Sequence, residues 1–304
     1  MFYKKQQKFA PYLFVLPFVL TFCLFSLYPY AKSLTYSLYA TSGPKDQAFV
    51  GFKNYQFLFS DPDFWQAVKN TALFALLSVA IQLPLALGLA MLLSQKWVKG
   101  VKLWRLAVFA PNLLGSVFVG VLFGVLLQPK FGLVNIGLAE TVEFFTHNQK
   151  LANSWLDMKW LSEPANVLPA MVMVASWMSI GYNMIYFLAA LQNVDQELYE
   201  AAQVDGAGPW ARFRAVTMPA IAPVMAFVLV TMTVGSFQLY ELPRTLLGGG
   251  GPDNRGLTII MYLFNNGLLA GDLGYASAVG WTLALMLAIV SLIQVKLTGA
   301  AKKD

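Results

Sequence analysis

Six stretches of this sequence contain no Asp, Glu, Lys or Arg: Phe9 to Ala31, Asn70 to Gln95, Leu106 to Pro129, Pro164 to Val194, Ala215 to Tyr240 and Leu273 to Val295. Each exceeds the roughly 20 residues that carry a helix across bilayer hydrocarbon. A soluble fold would instead spread its apolar residues at helical or strand spacing. The intervals predict an all-α integral membrane protein with six transmembrane helices, in a single domain over residues 1–304. Composition agrees: 58% of the 304 residues are hydrophobic and 12% are charged, where a soluble domain carries about 25% charged residues.

The first interval also follows Lys4, Lys5 and Lys8 as a signal peptide would follow its basic region. It is long for that role, contains Pro17 and Pro29, and lacks a suitable small residue before the Leu38-Tyr39-Ala40 end. It reads as a retained first helix, broken or kinked near Pro29. With one cysteine, Cys23, and one histidine, His147, the chain has no intrachain disulfide, Cys/His zinc cluster or Cys-His catalytic pair.

The net charge of +6, from 21 Lys and Arg against 15 Asp and Glu, lies beside the apolar runs and reads as membrane orientation rather than nucleic-acid binding. Twelve of the 21 basic residues fall in short connections or at the termini. They are Lys4, Lys5 and Lys8; Lys96, Lys99, Lys102 and Arg105; Arg212 and Arg214; Lys296, Lys302 and Lys303. Lys32, Lys45, Lys53, Lys69, Lys130, Lys150, Lys159, Arg244 and Arg255 lie in or beside longer segments that hold most of the acids. The density rule places both termini in the cytoplasm.

Phe49 to Trp65 and Thr146 to Leu161 mix aromatics with Asn, Asp and Ser, a composition suited to interfacial structure or an outside docking surface. The shorter apolar stretch Gly256 to Gly271 predicts a re-entrant or surface-lying helix. Gly248 to Pro252 predicts an outside turn.

The connection between the fourth and fifth intervals, residues 195–223, reads as helix, turn, helix. Leu198 to Val204 favours a helix with a close-packing face at Ala201 and Ala202. Asp205-Gly206 is a stop, since glycine accepts the left-handed backbone at a helix C-terminus. Pro209 suits the first turn of a new helix, and Pro219 and Pro223 are expected to end it before the fifth span. A tight hairpin joining two spans would satisfy the same pattern.

Glu200, Ala201, Ala202, Asp205, Gly206, Ala207, Phe213, Pro219 and Pro223 match, in register, the EAA signature of the membrane subunits of binding-protein-dependent ABC importers, which this chain resembles. Val216 and Met218 depart from the usual Ile and Leu. Ala10-Pro11-Tyr12-Leu13, Leu16-Pro17, Tyr28-Pro29 and the segment from Phe237 to Tyr262 resemble the carbohydrate-importing members. Departures there are Glu241 for Asp, Pro243-Arg244 for apolar or aromatic residues, and one extra glycine in the turn.

The resemblance implies a type I, MetI-like permease working by alternating access in a bacterial or archaeal cytoplasmic membrane. The loop would hold a coupling helix, with Glu200, Ala201, Ala202, Asp205, Gly206, Ala207, Phe213 and Pro219 as its ATPase-coupling residues. Implied partners are a second related permease, two cytoplasmic ATP-binding subunits, an extracytoplasmic solute-binding protein and membrane lipid. ATP and Mg would be used by the partners. This chain would bind no cofactor.

No Gly-x-x-x-x-Gly-Lys-Ser/Thr loop occurs, so the chain is expected to be a transport subunit rather than an enzyme. Nor does an acid lie inside a span as a proton relay would. Sugars are held by amides and aromatic faces, which makes Trp177, Asn183 and Tyr186 of span four, and Ser236, Gln238 and Tyr240 of span five, candidates for a solute path. Each has an alternative as packing glue or a lipid-facing ring. Glu241, at an outer boundary, has three readings: solute contact, a pair with Arg244, or solvation among headgroups. Rival readings are an importer for a glycerophosphodiester or polyamine, a secondary carrier, and a membrane enzyme. The carrier would need mid-span charges or inverted repeats. The enzyme would need a His with carboxylates at a membrane face.

Overall fold

The computed structural model describes residues 2–41, 47–95 and 97–298, with side chains from Pro11 onward. Lys45, Lys96, Lys302 and Lys303 lie outside the described residues, as do the side chains of Lys4, Lys5 and Lys8. Among the described residues, five helices are long and apolar enough to cross a bilayer: Pro11–Tyr36, Pro62–Leu93, Pro164–Gln192, Pro209–Phe237 and Leu273–Leu297. The third charge-free interval is not one straight helix. It is carried by Val101–Leu113 and Ser116–Leu126, bent by 98°. Pro111 lacks an N–H and sits in a tight 3₁₀ turn, Ala110–Leu113; Gly115 then takes an extended backbone before the helix restarts.

The chain divides into two compact units, residues 1–61 with 263–285 and residues 62–262 with 286–304. In the first, α1 (Phe2–Phe22) passes through a π turn at Cys23–Leu27 into α2 (Tyr28–Tyr36). Of the break or kink expected near Pro29, the break is absent, and the helix runs on from Pro11 to Tyr36. Proline crowds the carbonyl four residues earlier; here the Tyr28 N–H reaches back five residues to the Cys23 carbonyl, and the widened turn lets the helix resume. A short antiparallel pair follows, β1 (Tyr39–Thr41) with β2 (Gln47–Phe49), in register Tyr39 opposite Phe49, and then α3 (Lys53–Ser60). Asn54 donates to the carbonyls of Ser37 and Tyr39, both at 2.9 Å. The Thr41 hydroxyl donates to Asp272 at 3.1 Å and accepts from the Gly274 N–H at 2.8 Å, which ties the strand pair to the start of α15 (Leu273–Leu297).

In the second unit, α4 (Pro62–Leu93) lies along α9 (Pro164–Gln192), and α12 (Met218–Phe237) packs on both. Two apolar clusters close the ends of this three-helix contact. One gathers Phe74, Val119, Val167, Met171 and Leu242; the other gathers Ala86, Met184, Phe187, Ile221 and Val228. The break between α5 (Val101–Phe109) and α6 (Ser116–Leu126) lets α5 cross α9 closely, where a Cβ on Gly181 would collide with the Val108 carbonyl.

The segment expected to hold short interfacial structure is a helical hairpin that starts earlier, α7 (Leu133–Thr146) and α8 (Gln149–Leu156). Asn135 closes it, donating to the carbonyls of Leu156 and Met158 and accepting from Trp160 Nε1 at 2.8 Å. Replacing Gly181 with alanine is expected to push α5 off α9 and cost roughly 1–3 kcal/mol of packing. A drop in thermal midpoint of the detergent-solubilised protein would report it, while alanine at the open Gly88 position should leave the midpoint unmoved.

Candidate functional site

The elbow between α9 and α12 is built from local backbone chemistry. The Asp195 carboxylate caps α10 (Gln196–Val204) by accepting from the Glu197 N–H at 3.0 Å. At the other end the Gly206 N–H donates to the Gln203 carbonyl at 3.1 Å and the Ala207 N–H to the Ala202 carbonyl at 2.9 Å. These are the two reversed bonds of a Schellman termination, and they need the left-handed φ of +78° found at Gly206. Pro209 then opens α11 (Pro209–Arg212), as its place just after Gly208 suggests.

Pro219 and Pro223 do not end this second helix, contrary to expectation. A π turn at Phe213–Thr217, closed by the Met218 N–H on the Phe213 carbonyl, precedes Pro219 as its counterpart precedes Pro29. The helix runs unbroken from Pro209 to Phe237. The hydroxyls of Tyr199 and Thr217 meet at 2.8 Å and clamp α10 to the root of α12.

The signature residues divide by exposure. Ala202, Ala207 and Phe213 are half-buried, and Trp210 stacks on Phe213 with ring centres 5.3 Å apart. Glu200, Ala201, Asp205, Gly206 and Pro219 are exposed. Beside them Val204 is 87% exposed and Trp210 72%. Large apolar side chains are thus openly displayed beside the acids of α10. Near the same ends of the helices, Arg105 donates to the Leu93 carbonyl at 3.2 Å and caps α4.

Between the two apolar clusters, α4, α9 and α12 line a half-open cavity of about 250 Å³. Its polar lining is Gln82 of α4; Ser179, Tyr182 and Asn183 of α9; and Thr231 and Ser236 of α12. Gln82 and Asn183 are 5% and 3% exposed, and among the described residues neither amide has a hydrogen-bond partner. Buried amides normally find one; here both border the cavity instead.

The predicted path residues are placed unevenly. Asn183 and Ser236 line the cavity. Tyr186 stands at its edge, its hydroxyl 2.8 Å from that of Tyr182 and its ring against Phe227. Trp177 faces away, packing on Phe123 and lining an apolar groove with Leu77, Ile81 and Leu85. Gln238, exposed, caps the end of α12, and Tyr240 precedes α13 (Glu241–Leu247); neither lines the cavity. The other polar residues of the lining, Gln82, Ser179, Tyr182 and Thr231, were not among those predicted. Ser179, Tyr182, Asn183 and Tyr186 recur at steps of three and four, a polar stripe the sequence displays. Gln82 is signalled only by being an amide deep in an apolar run.

The glycine turn closes one end of this region. Asn70 of α4 donates to the carbonyls of Asn254 and Leu257 at 2.7 and 3.0 Å. Thr71 accepts from the Ile259 N–H at the start of α14 (Ile259–Phe264) at 3.1 Å. Thr258 donates at 2.7 Å to the carbonyl of Leu239, a cavity residue. Among the described residues Glu241 makes no ion pair with Arg244. Replacing Gly206 with alanine is expected to cost about 1 kcal/mol at this turn, and replacing it with asparagine less. Faster hydrogen exchange at the Ala207 amide in the alanine variant would report the loss.

A family model described as binding-protein-dependent transport system inner membrane component matches residues 11–298. The chain is 36% identical over 304 residues to the arabinooligosaccharides transport system permease protein AraP of Bacillus subtilis, covering 100% of this chain and 92% of the relative. It is 35% identical over 287 residues to the lactose transport system permease protein LacF of Rhizobium radiobacter, covering 93% and 92%. Its fold matches a chain in the crystal structure of a bacterial ABC transporter that imports the acidic polysaccharide alginate, with a TM-score of 0.80, 24% identity and 99% coverage of both chains.

Proposed function

The chain belongs to the family of binding-protein-dependent transport system inner membrane components, and on that premise we propose that it is the permease subunit of an ATP-driven importer of a carbohydrate. Relatives named for arabinooligosaccharide and lactose transport support the solute class. One geometric observation carries the mechanism. Both α9 and α12 line the cavity, and both lead into the elbow, α12 without a break and α9 through three residues, so a push on the elbow reaches the cavity walls through rigid helix.

The exposed face of Val204 and Trp210 suits the cleft of an ATP-binding subunit, one for this chain and one for a second related permease. Closure of the ATPase pair would move the elbow, rotate α9 and α12 against α4, and open the cavity toward a solute-binding protein on the opposite face. ATP and Mg belong to those partners, because this chain has no phosphate-cradling glycine loop. The density of Lys and Arg at the elbow and termini supports a cytoplasmic position for them in a bacterial or archaeal membrane. The half of α1 that begins at Pro11, with α2, has no buried residue in its most apolar window and offers its surface to lipid and to the second permease.

The test is a Val204→Asp/Trp210→Asp double variant, purified with its partners from the native membrane. At least a tenfold loss of co-purified ATP-binding subunit, with ATP-dependent uptake abolished in a monodisperse protein, is expected. Unchanged uptake would overturn the coupling role.

A further inference from the structure

The cavity walls are notable for what they combine. Two buried amides and four hydroxyl side chains face a space whose remaining lining includes Phe74, Met232 and Leu239. Among the described residues, no Asp, Glu, Lys, Arg or His lines it. We infer that this cavity accepts one uncharged sugar ring at a time and turns away acidic ones, with Gln82 and Asn183 as the residues that make the choice. The inference rests on the reading of the cavity as part of the solute path and deepens it.

A neutral sugar ring carries hydroxyls, each of them both donor and acceptor. A primary amide offers two donors and a carbonyl acceptor in one plane, so Gln82 from α4 and Asn183 from α9 meet such a ring from two helices with either polarity. The ring's C–H face needs an apolar or aromatic wall, which Phe74 and Tyr182 supply. A uronate or sulfonate brings a full charge into the same space. It would surrender its hydration, and the wall holds no cation to replace it; a buried charge is tolerated only when paired and fully hydrogen-bonded. Two amides donate too few bonds for that and carry no charge. At about 250 Å³, the cavity also falls below the roughly 300–1,000 Å³ of sites for drug-sized ligands, which suits a chain of sugars passing ring by ring.

The experiment uses the complete importer, this permease with its partner permease and ATP-binding subunits, in nanodiscs without the solute-binding protein, whose own preference would mask that of the cavity. The probes are neutral trisaccharides of arabinose, galactose and glucose, and the trimer of galacturonate, read by saturation-transfer NMR. A neutral trimer is expected to receive saturation on one ring, and the galacturonate trimer at least tenfold less at equal concentration. Gln82→Lys should raise the galacturonate signal, and Gln82→Leu/Asn183→Leu should remove the neutral one.

Equal signals from neutral and acidic trimers in the native importer would overturn the selectivity while leaving the path reading intact. That comparison needs no variant, so a misfolded mutant does not blunt it. A neutral signal undiminished in the double leucine variant would overturn the path reading itself.

Discussion

Hydrocarbon offers no partner to a backbone N–H or C=O, so each spanning segment must satisfy its own ladder or break where protein covers the gap. Much of this structure follows from how the chain reconciles that rule with its prolines. At Pro29 and Pro219 a π turn immediately upstream takes up the misfit, and the helix continues. At Pro111 the ladder tightens to 3₁₀ and then stops, producing the 98° bend. The same residue type therefore sits in a continuous rod at Pro29 and Pro219 and at a corner at Pro111. The rod through Pro219 carries the elbow; the corner lets α5 lie across Gly181.

The second consequence concerns polar side chains at membrane depth. Some are paired within the protein: Gln294 donates to Thr233 at 2.7 Å, and Tyr182 and Tyr186 share a hydrogen bond. Pairs of this kind hold helices together at modest gain. Among the described residues Gln82 and Asn183 have no such partner and instead border the cavity. The apolar clusters lie toward either end of α4, α9 and α12.

Much of the architecture was legible in the sequence because charge is excluded from hydrocarbon, and five of the six charge-free intervals fall on the long helices while the third falls on a bent pair. The Gly206 turn was legible because a left-handed residue after a helix has few solutions. Helix continuity was not. Pro219 reads as a terminator from its own chemistry, and only the hydrogen bond from Met218 to Phe213 shows how it is tolerated. The strand pair at Tyr39 to Phe49 has three residues a side, too few to leave a period. In the cavity, Asn183 was visible as an amide in a span, but Trp177 and Gln238 had the same claim. What separates them is helix azimuth, and Gln82, more than 90 positions from Asn183 in the chain, joins it only through packing.

The π turn at Phe213–Thr217 has a consequence for phase. One extra residue in a single turn offsets everything on one side of it by about 100° around the helix axis, relative to a regular α-helix. Trp210 and Ser236 lie on one helix with that offset between them. The direction in which the elbow faces and the direction in which α12 meets the cavity are thus fixed to each other like two cams keyed to one shaft. Residue substitutions along the shaft leave the keying intact, whereas a one-residue insertion or deletion between Phe213 and Ser236 turns one cam against the other.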